Sequence, residues 1–185
     1  MPERRARAGP WVAGVFLATF GLTLWQLAPG IFWLDSSEFV ACARGASIPH
    51  PPGTPGYVVL AHLATLLPLG SVAFRVNLLS ALLGAGAAAA LFAAGRLLLA
   101  RVHRPGRLGD GAVALLVLAL SLSRAAWFQG IRAEVYTLNY LVTALAVALA
   151  LRWDENPAAR GGHVLLVALL LGFGLTNHHY LVLLT

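Results

Sequence analysis

The sequence has no lysine, a single cysteine, and charge on only 11% of its 185 residues. Each shortage excludes something. One thiol, Cys42, cannot close an internal disulfide, so no disulfide framework stands in for a core. A soluble domain is about a quarter charged. With 59% apolar residues and a mean hydropathy of +0.78, this chain cannot hide its apolar surface from water by folding alone. The net charge of +6 is 13 arginines against 7 acids. Those arginines lie at the ends of apolar runs and in short loops, where membrane orientation explains them and nucleic-acid binding does not.

What is present is a series of apolar runs long enough to cross a hydrocarbon layer of roughly 30 Å, which takes about 20 residues. Five candidate spans follow, at residues 11–28, 76–100, 111–128, 135–151 and 163–185. The first is preceded by Arg4, Arg5 and Arg7, as a signal peptide would be, but it is long and has no small-x-small cleavage site, so it reads as a retained helix. An N-terminus on the cytoplasmic side gives that side Arg4, Arg5, Arg7, Arg96, Arg101, Arg104, Arg107, Arg152 and Arg160. The other side receives only Arg44, Arg75, Arg124 and Arg132, which is the asymmetry of the positive-inside rule. The chain breaks off inside an apolar run, and we read it as the N-terminal part of a longer all-α, polytopic transmembrane bundle. The alanines from Ala85 to Ala90 suit close helix contact.

The connections are unequal. The cytoplasmic links near Arg101 to Asp110 and Arg152 to Gly162 are short, whereas the first extracytoplasmic loop runs from residue 30 to residue 75. It opens on Asp35-Ser36-Ser37-Glu38 and passes through His50-Pro51-Pro52-Gly53-Thr54-Pro55-Gly56, where proline and glycine forbid regular helix. The apolar stretch from Val58 to Leu67 is too short to span and predicts an interfacial or re-entrant helix.

Placed by depth, the few ionisable residues converge. Asp35, Glu38 and His50 belong to the long loop, and Arg132 and Glu134 to the turn between spans three and four. His178 and His179 lie about 16 residues into the fifth span, which at 1.5 Å per residue is about 24 Å across. Groups from three separate regions thus share the extracytoplasmic level, and ionisable groups there are functional candidates by default. Each has a bland counterpart. Asp35, Ser36 or Ser37 would cap a following helix. Glu134 would pair with Arg132 or Arg124. The two histidines point about 100° apart on a helix and are poorly placed to hold one metal together. Acidic residues with histidine on one face are compatible with a divalent cation, although no tight ligand spacing demands one.

Five ordered stretches carry a resemblance: WLDSSEF (Trp33 to Phe39), IPHPPGTPGYVVL (Ile48 to Leu60), FRVNLLSAL (Phe74 to Leu82), AEVYTLN (Ala133 to Asn139) and GLTNHH (Gly174 to His179). Together they resemble a family of bacterial membrane proteins whose animal relatives are endoplasmic-reticulum protein O-mannosyltransferases of the GT-C type. The chain departs from the usual motifs at Ser37, where glycine is common, and at Thr54. The resemblance implies a GT-C-like glycosyltransferase of the bacterial inner membrane, with an extracytoplasmic site. Its donor would be a polyprenyl-phosphate sugar and its acceptor a hydroxyl, protein Ser or Thr among the candidates. It implies Asp35 as the base that takes the acceptor proton, with Glu38 and Glu134 in support. His50, Arg75, Arg132, His178 and His179 are then the substrate-binding groups, for a leaving phosphate needs positive charge or donors nearby.

Two other classes compete. A transporter would use the same groups to line a path, but such paths favour broken helices and midplane charge, and here the charge gathers at one face. A non-catalytic scaffold would make the gathering accidental.

Overall fold

A computed structural model describes residues 2–102, 106–158 and 161–183, with side chains over 8–102, 106–158 and 161–178. Among the described residues every regular element is a helix. The order is α1 (Pro2–Trp25), α2 (Ser36–Gly45), α3 (Pro55–Thr65), α4 (Val72–Val102), α5 (Arg107–Ser121), α6 (Arg124–Gly130), α7 (Tyr136–Glu155) and α8 (Gly161–Leu183). Four of these, α1, α4, α7 and α8, are long and apolar enough to cross a membrane, and α5 with α6 makes a fifth if the bent pair is one span. The protein is a polytopic helical membrane protein.

The third expected span is bent. Residues 111–128 do not form one rod, because α5 and α6 meet at 70°. Ser123 makes the break. Its backbone leaves the helical region (φ −59°, ψ 149°), its hydroxyl donates to the Leu120 carbonyl at 2.7 Å, and its own carbonyl accepts from Trp127 N–H at 2.8 Å. A serine that bonds its local backbone offers the chain an alternative to the helical ladder, and apolar periodicity does not report it.

The long α4 is the centre of the bundle because its small residues let neighbours approach. Ala85, Ala87, Ala88 and Ala90 are buried, and a Cβ on Gly86 would meet Leu141 of α7 at 3.3 Å. Close backbone approach of this kind replaces the hydrophobic drive that is missing between helices in lipid. At one end of α4, Arg96 donates to Asp110 of α5 at 2.6 Å and Arg101 to Asp154 of α7 at 2.7 Å. Trp11 and Val15 of α1 pack there with Phe92, Ala114 and Val117.

At the other end the long loop is folded onto the bundle. Phe39, Val40 and Ala43 of α2 and Tyr57 and Ala61 of α3 share one core with Ala73 and Val76 of α4 and with Leu138 and Val142 of α7. The expected short helix is α3, and α2 precedes it. Asn77, fully buried on α4, joins the pieces. Its amide donates to the carbonyls of Ala28 at 2.8 Å and Gly30 at 3.0 Å, and its carbonyl oxygen accepts from Ala133 N–H at 2.8 Å. One side chain thus ties the start of the long loop to the turn that carries Arg132 and Glu134.

Candidate functional site

The site is built where three pieces of chain meet at the loop end of the bundle. The first is the approach to α2. Leu34 adopts φ +62°, a left-handed conformation that costs a residue with a Cβ about 1–2 kcal/mol. The chain turns there, and Asp35 follows at the N-cap position of α2. Asp35 is exposed and makes no side-chain capping bond, so the capping role open in the sequence is not the one it takes. Ser37 Oγ donates instead to the Leu34 carbonyl at 3.3 Å.

The second piece is the Pro-Pro-Gly loop. Gly53 (φ +85°) and Thr54 (φ +36°) turn it, Gly53 N–H donates to the His50 carbonyl at 2.9 Å, and Gly53 is a position where a Cβ would be strained and would press on Ile48 at 3.2 Å. This turn delivers His50 to Glu38, twelve residues earlier. Glu38 accepts from His50 N–H at 2.6 Å through one oxygen and meets His50 Nδ1 at 2.6 Å through the other. The two charges stabilise each other. The hydrogen bond to His50 holds the Glu38 carboxyl below its ordinary value, and the same bond raises His50. Both groups stay in contact with water, with side chains 38% and 45% exposed. One donor atom each from Asp35, Glu38 and His50 lie within 4.8 Å of one another, so these three are the residues that could hold a divalent cation. A carboxylate, carboxylate and imidazole set suits a hard or borderline ion, although the Glu38–His50 bond would have to open to admit one.

The third piece is the turn between α6 and α7. Arg132 and Glu134 form an ion pair of 2.7 Å with both side chains 3% exposed. The guanidinium is satisfied throughout: Nη1 also donates to the Trp33 carbonyl at 3.2 Å, Nη2 to Gln129 Oε1 at 3.1 Å, Nε to the Phe128 carbonyl at 3.3 Å, and its plane lies 4.3 Å from the centre of the Phe128 ring. Burial pushes the Glu134 carboxyl up, with Arg132 opposing that shift and the Asp35 carboxylate adding to it. The Glu134 backbone N–H is fixed by Ser80 Oγ at 3.1 Å. Ser80 in turn meets the Tyr57 hydroxyl at 3.2 Å, where burial pushes the phenol up and keeps it protonated.

The remaining candidates fall elsewhere or only partly here. Arg75 spends its guanidinium on the α3–α4 turn, donating to the carbonyls of Leu69 at 2.5 Å, Thr65 at 2.5 Å and Gly70 at 2.9 Å. His178 interrupts α8 with a non-helical backbone (φ −150°, ψ 88°), and its ring lies 5.6 Å from that of Tyr136, two residues beyond Glu134. The side chain of His179 lies outside the described residues.

Sequence reasoning did not assign roles to Asn77, Ser80, Asn139 and Asn177. Asn177 donates to the Val135 carbonyl at 2.9 Å and to Asn139 Oδ1 at 2.6 Å, docking α8 beside the Glu134 turn. The available signal was polarity inside apolar spans: Asn77 and Ser80 stand three residues apart on one helix face.

Membrane-length helices, a long loop folded onto one end, and two carboxylates with a histidine gathered there define a polytopic membrane protein with a polar site on its loop side. Comparison with known proteins makes this specific. A family model described as "Protein O-mannosyl-transferase TMEM260 N-terminal domain" matches residues 35–185. The Protein O-mannosyl-transferase TMEM260 of Mus musculus is 39% identical over 191 residues, an alignment that takes in 96% of this chain and 26% of the relative. The chain belongs to this family, and it spans about a quarter of that relative's length. No solved structure matches it.

Proposed function

We propose that this chain forms the N-terminal membrane part of a GT-C-type glycosyltransferase of the bacterial inner membrane. In this reading it moves a sugar, mannose by analogy with the relative's name, from a polyprenyl-phosphate donor to a Ser or Thr hydroxyl of a protein at the extracytoplasmic face. The observation that carries the reading is the gathering of Asp35, Glu38 and His50 within 4.8 Å at the start of the long loop.

In this mechanism the acceptor oxygen bonds to the anomeric carbon as the bond from that carbon to the lipid phosphate breaks. The hydroxyl proton passes to Asp35, and the phosphate leaves with the electron pair of the broken bond. A hydroxyl is a weak nucleophile at neutral pH, and a positioned carboxylate is the usual remedy. Asp35 is the exposed carboxylate, free of a capping bond, whereas Glu38 is engaged by His50 and Glu134 by Arg132. We therefore give Glu38 and His50 the task of holding the loop, and Arg132 with Glu134 that of holding the Trp33–Asp35 approach. Arg75 and Arg132 are bonded internally, and the phosphate role of His178 and His179 rests on the family resemblance of the GLTNHH stretch alone. A divalent cation at the three-residue cluster would supply further positive charge for the leaving group.

The test uses the full-length protein with a radiolabelled polyprenyl-phosphate mannose and a Ser/Thr-containing peptide. Label moving from lipid to peptide, and lost in Asp35→Asn, supports the reading. Uptake into vesicles without transfer would make the protein a transporter, and neither activity would leave a scaffold.

A further inference from the structure

One part of the bundle is not close-packed. A slot of about 410 Å³ lies between α1, α4, the α5–α6 corner and α7. Protein interiors leave few voids larger than a water molecule, and this volume falls in the range of about 300–1,000 Å³ that ligand sites occupy. Small residues from three helices make the room: Gly84, Ala87 and Ala88 of α4, Ala126 and Gly130 of α6, and Ala144 of α7. The corner at Ser123 supplies one wall, since Leu120 and Ser121 before it and Ala126 after it all line the slot. Thr19, Ala88, Thr137 and Ala144 on the lining are buried, whereas Leu91, Leu120, Tyr140 and Val147 are exposed. The slot therefore has a closed floor and one open side, between α5 and α7.

Its walls change along their length. On α7 the lining runs from Thr137 to Val147, which is about 15 Å at 1.5 Å per residue. The loop-side part of that stretch is polar, with Thr137, Asn139, Tyr140 and Thr143, and beyond it come Ala144 and Val147, joined by Ala88 and Leu91 of α4. The polar part is short of partners. The Thr19 hydroxyl and the Asn139 amide nitrogen are buried with no hydrogen-bond partner, and among the described residues the hydroxyls of Ser121, Tyr140 and Thr143 have none either. Unpaired donors between membrane-length helices are costly, so an occupant that brings an acceptor to them is favoured over plain hydrocarbon.

We propose that this slot seats one acyl chain of an ester-linked membrane glycerolipid, its tail along Ala88, Ala144 and Val147 and its ester carbonyl at the hydroxyl end, where Tyr140 and Thr143 donate to it. The donors decide between lipids. An isoprenoid chain is hydrocarbon as far as its phosphate and brings them no acceptor, whereas a glycerolipid carries a carbonyl where each acyl chain begins. The loop-side end of the slot is bounded by Gly130 and Thr137, which bracket the turn that carries Arg132 and Glu134, and Thr137 Oγ1 donates to the Glu134 carbonyl at 3.4 Å. A chain held in the slot supports that turn from within the bundle. This holds whether or not the protein transfers sugar.

The experiment uses the full-length protein, purified in detergent and stripped of lipid, then offered dioleoyl phosphatidylglycerol, its diether analogue with the same chains, or a polyprenyl phosphate. Retained lipid is read by native mass spectrometry and stability by melting. The ester lipid should be retained and should raise the melting midpoint, and the diether should bind about fivefold more weakly, the worth of one net hydrogen bond. Tyr140→Phe combined with Thr143→Val should abolish that preference, because the shapes are kept and only the donors go. Ala126→Phe, which fills the slot from α6, should abolish retention. Equal binding of ester and diether by the unmodified protein, retention of the polyprenyl phosphate in place of the glycerolipid, or retention of no lipid at all overturns the proposal. So does an Ala126→Phe protein that binds lipid as the parent does. Should Ala126→Phe fail to fold, the double variant decides: an ester preference left intact in it puts the carbonyl elsewhere and overturns the proposal.

Discussion

Removing the guanidinium of Arg132 tests whether that residue holds the site or serves the substrate. In Arg132→Ala, Glu134 keeps its place, because its backbone N–H is still fixed by Ser80 and its side chain is 3% exposed. Its carboxylate loses the partner at 2.7 Å. Breaking one side of a buried ion pair costs about 3–5 kcal/mol. The carbonyls of Trp33 and Phe128 and the Gln129 amide oxygen lose donors at the same time, and the Phe128 ring loses its cation. For a domain of this size about 1 kcal/mol moves the midpoint by 2–4 °C, so a fall of roughly 6–20 °C is expected. Melting of the purified protein in detergent, followed by tryptophan fluorescence, measures it. Glu134→Gln should cost less, since a neutral amide still accepts from Arg132, and adding it to Arg132→Ala should recover part of the loss by removing the stranded charge. A double-mutant cycle with a coupling of about 1–3 kcal/mol is then expected. An Arg132→Ala protein as stable as the parent, with reduced affinity for lipid-linked sugar, would refute the reasoning and return Arg132 to the phosphate.

Asp35→Asn should fold normally, since Asp35 makes no capping bond, and should lower transfer by about 10²–10⁴, the usual worth of general-base assistance; full activity in a radiolabel assay would move the base to another carboxylate. The Glu38–His50 pair is fully charged between the ordinary values of 4.5 and 6.5. Because His50 is raised and Glu38 lowered, its contribution fades as pH climbs through the raised histidine value and as pH falls through the lowered glutamate value. Hydrogen exchange over residues 46–54 should accordingly be slowest, after correction for intrinsic rates, between those limits, and protection unchanged at high pH would contradict the pairing. Cysteines placed at the exposed positions Ser47 and Ser71 should react with an impermeant thiol reagent from outside intact cells while one at Gly106 should not; labelling at Gly106 alone would invert the proposed orientation.

The parts of this fold that follow from length and apolarity were legible in the sequence. A hydrocarbon layer sets how many residues a span needs, and α4, α7 and α8 fall where that rule puts them. The short α3 was legible for the same reason. The break at Ser123 was not, because one hydroxyl turned onto Leu120 changes the path of the chain without changing its hydropathy. Of the candidate site, the approach of Asp35, Glu38 and His50 to one another was legible. Their pairing was not, since pairing depends on contacts between distant segments. Glu38 and Asp35 look alike in the sequence, and only the turn at Gly53 and Thr54 brings His50 to one of them. Arg75 and Arg132 look equally available for a phosphate, and both prove to be bonded within the chain through carbonyls that no pattern of side chains announces.

The bend after α5 sets a depth. A helix of 15 residues rises about 22 Å, short of a hydrocarbon layer of roughly 30 Å. Where α5 and α6 make one span, the 70° turn means that α6 adds little height, and the turn bearing Arg132 and Glu134 lies lower than a straight span of the same residues would carry it. A span of that shape is accommodated by local thinning of the bilayer or by tilt of the neighbouring helices. Under that arrangement membrane thickness becomes a variable of the site itself, and activity compared across lipids of different chain length would read it.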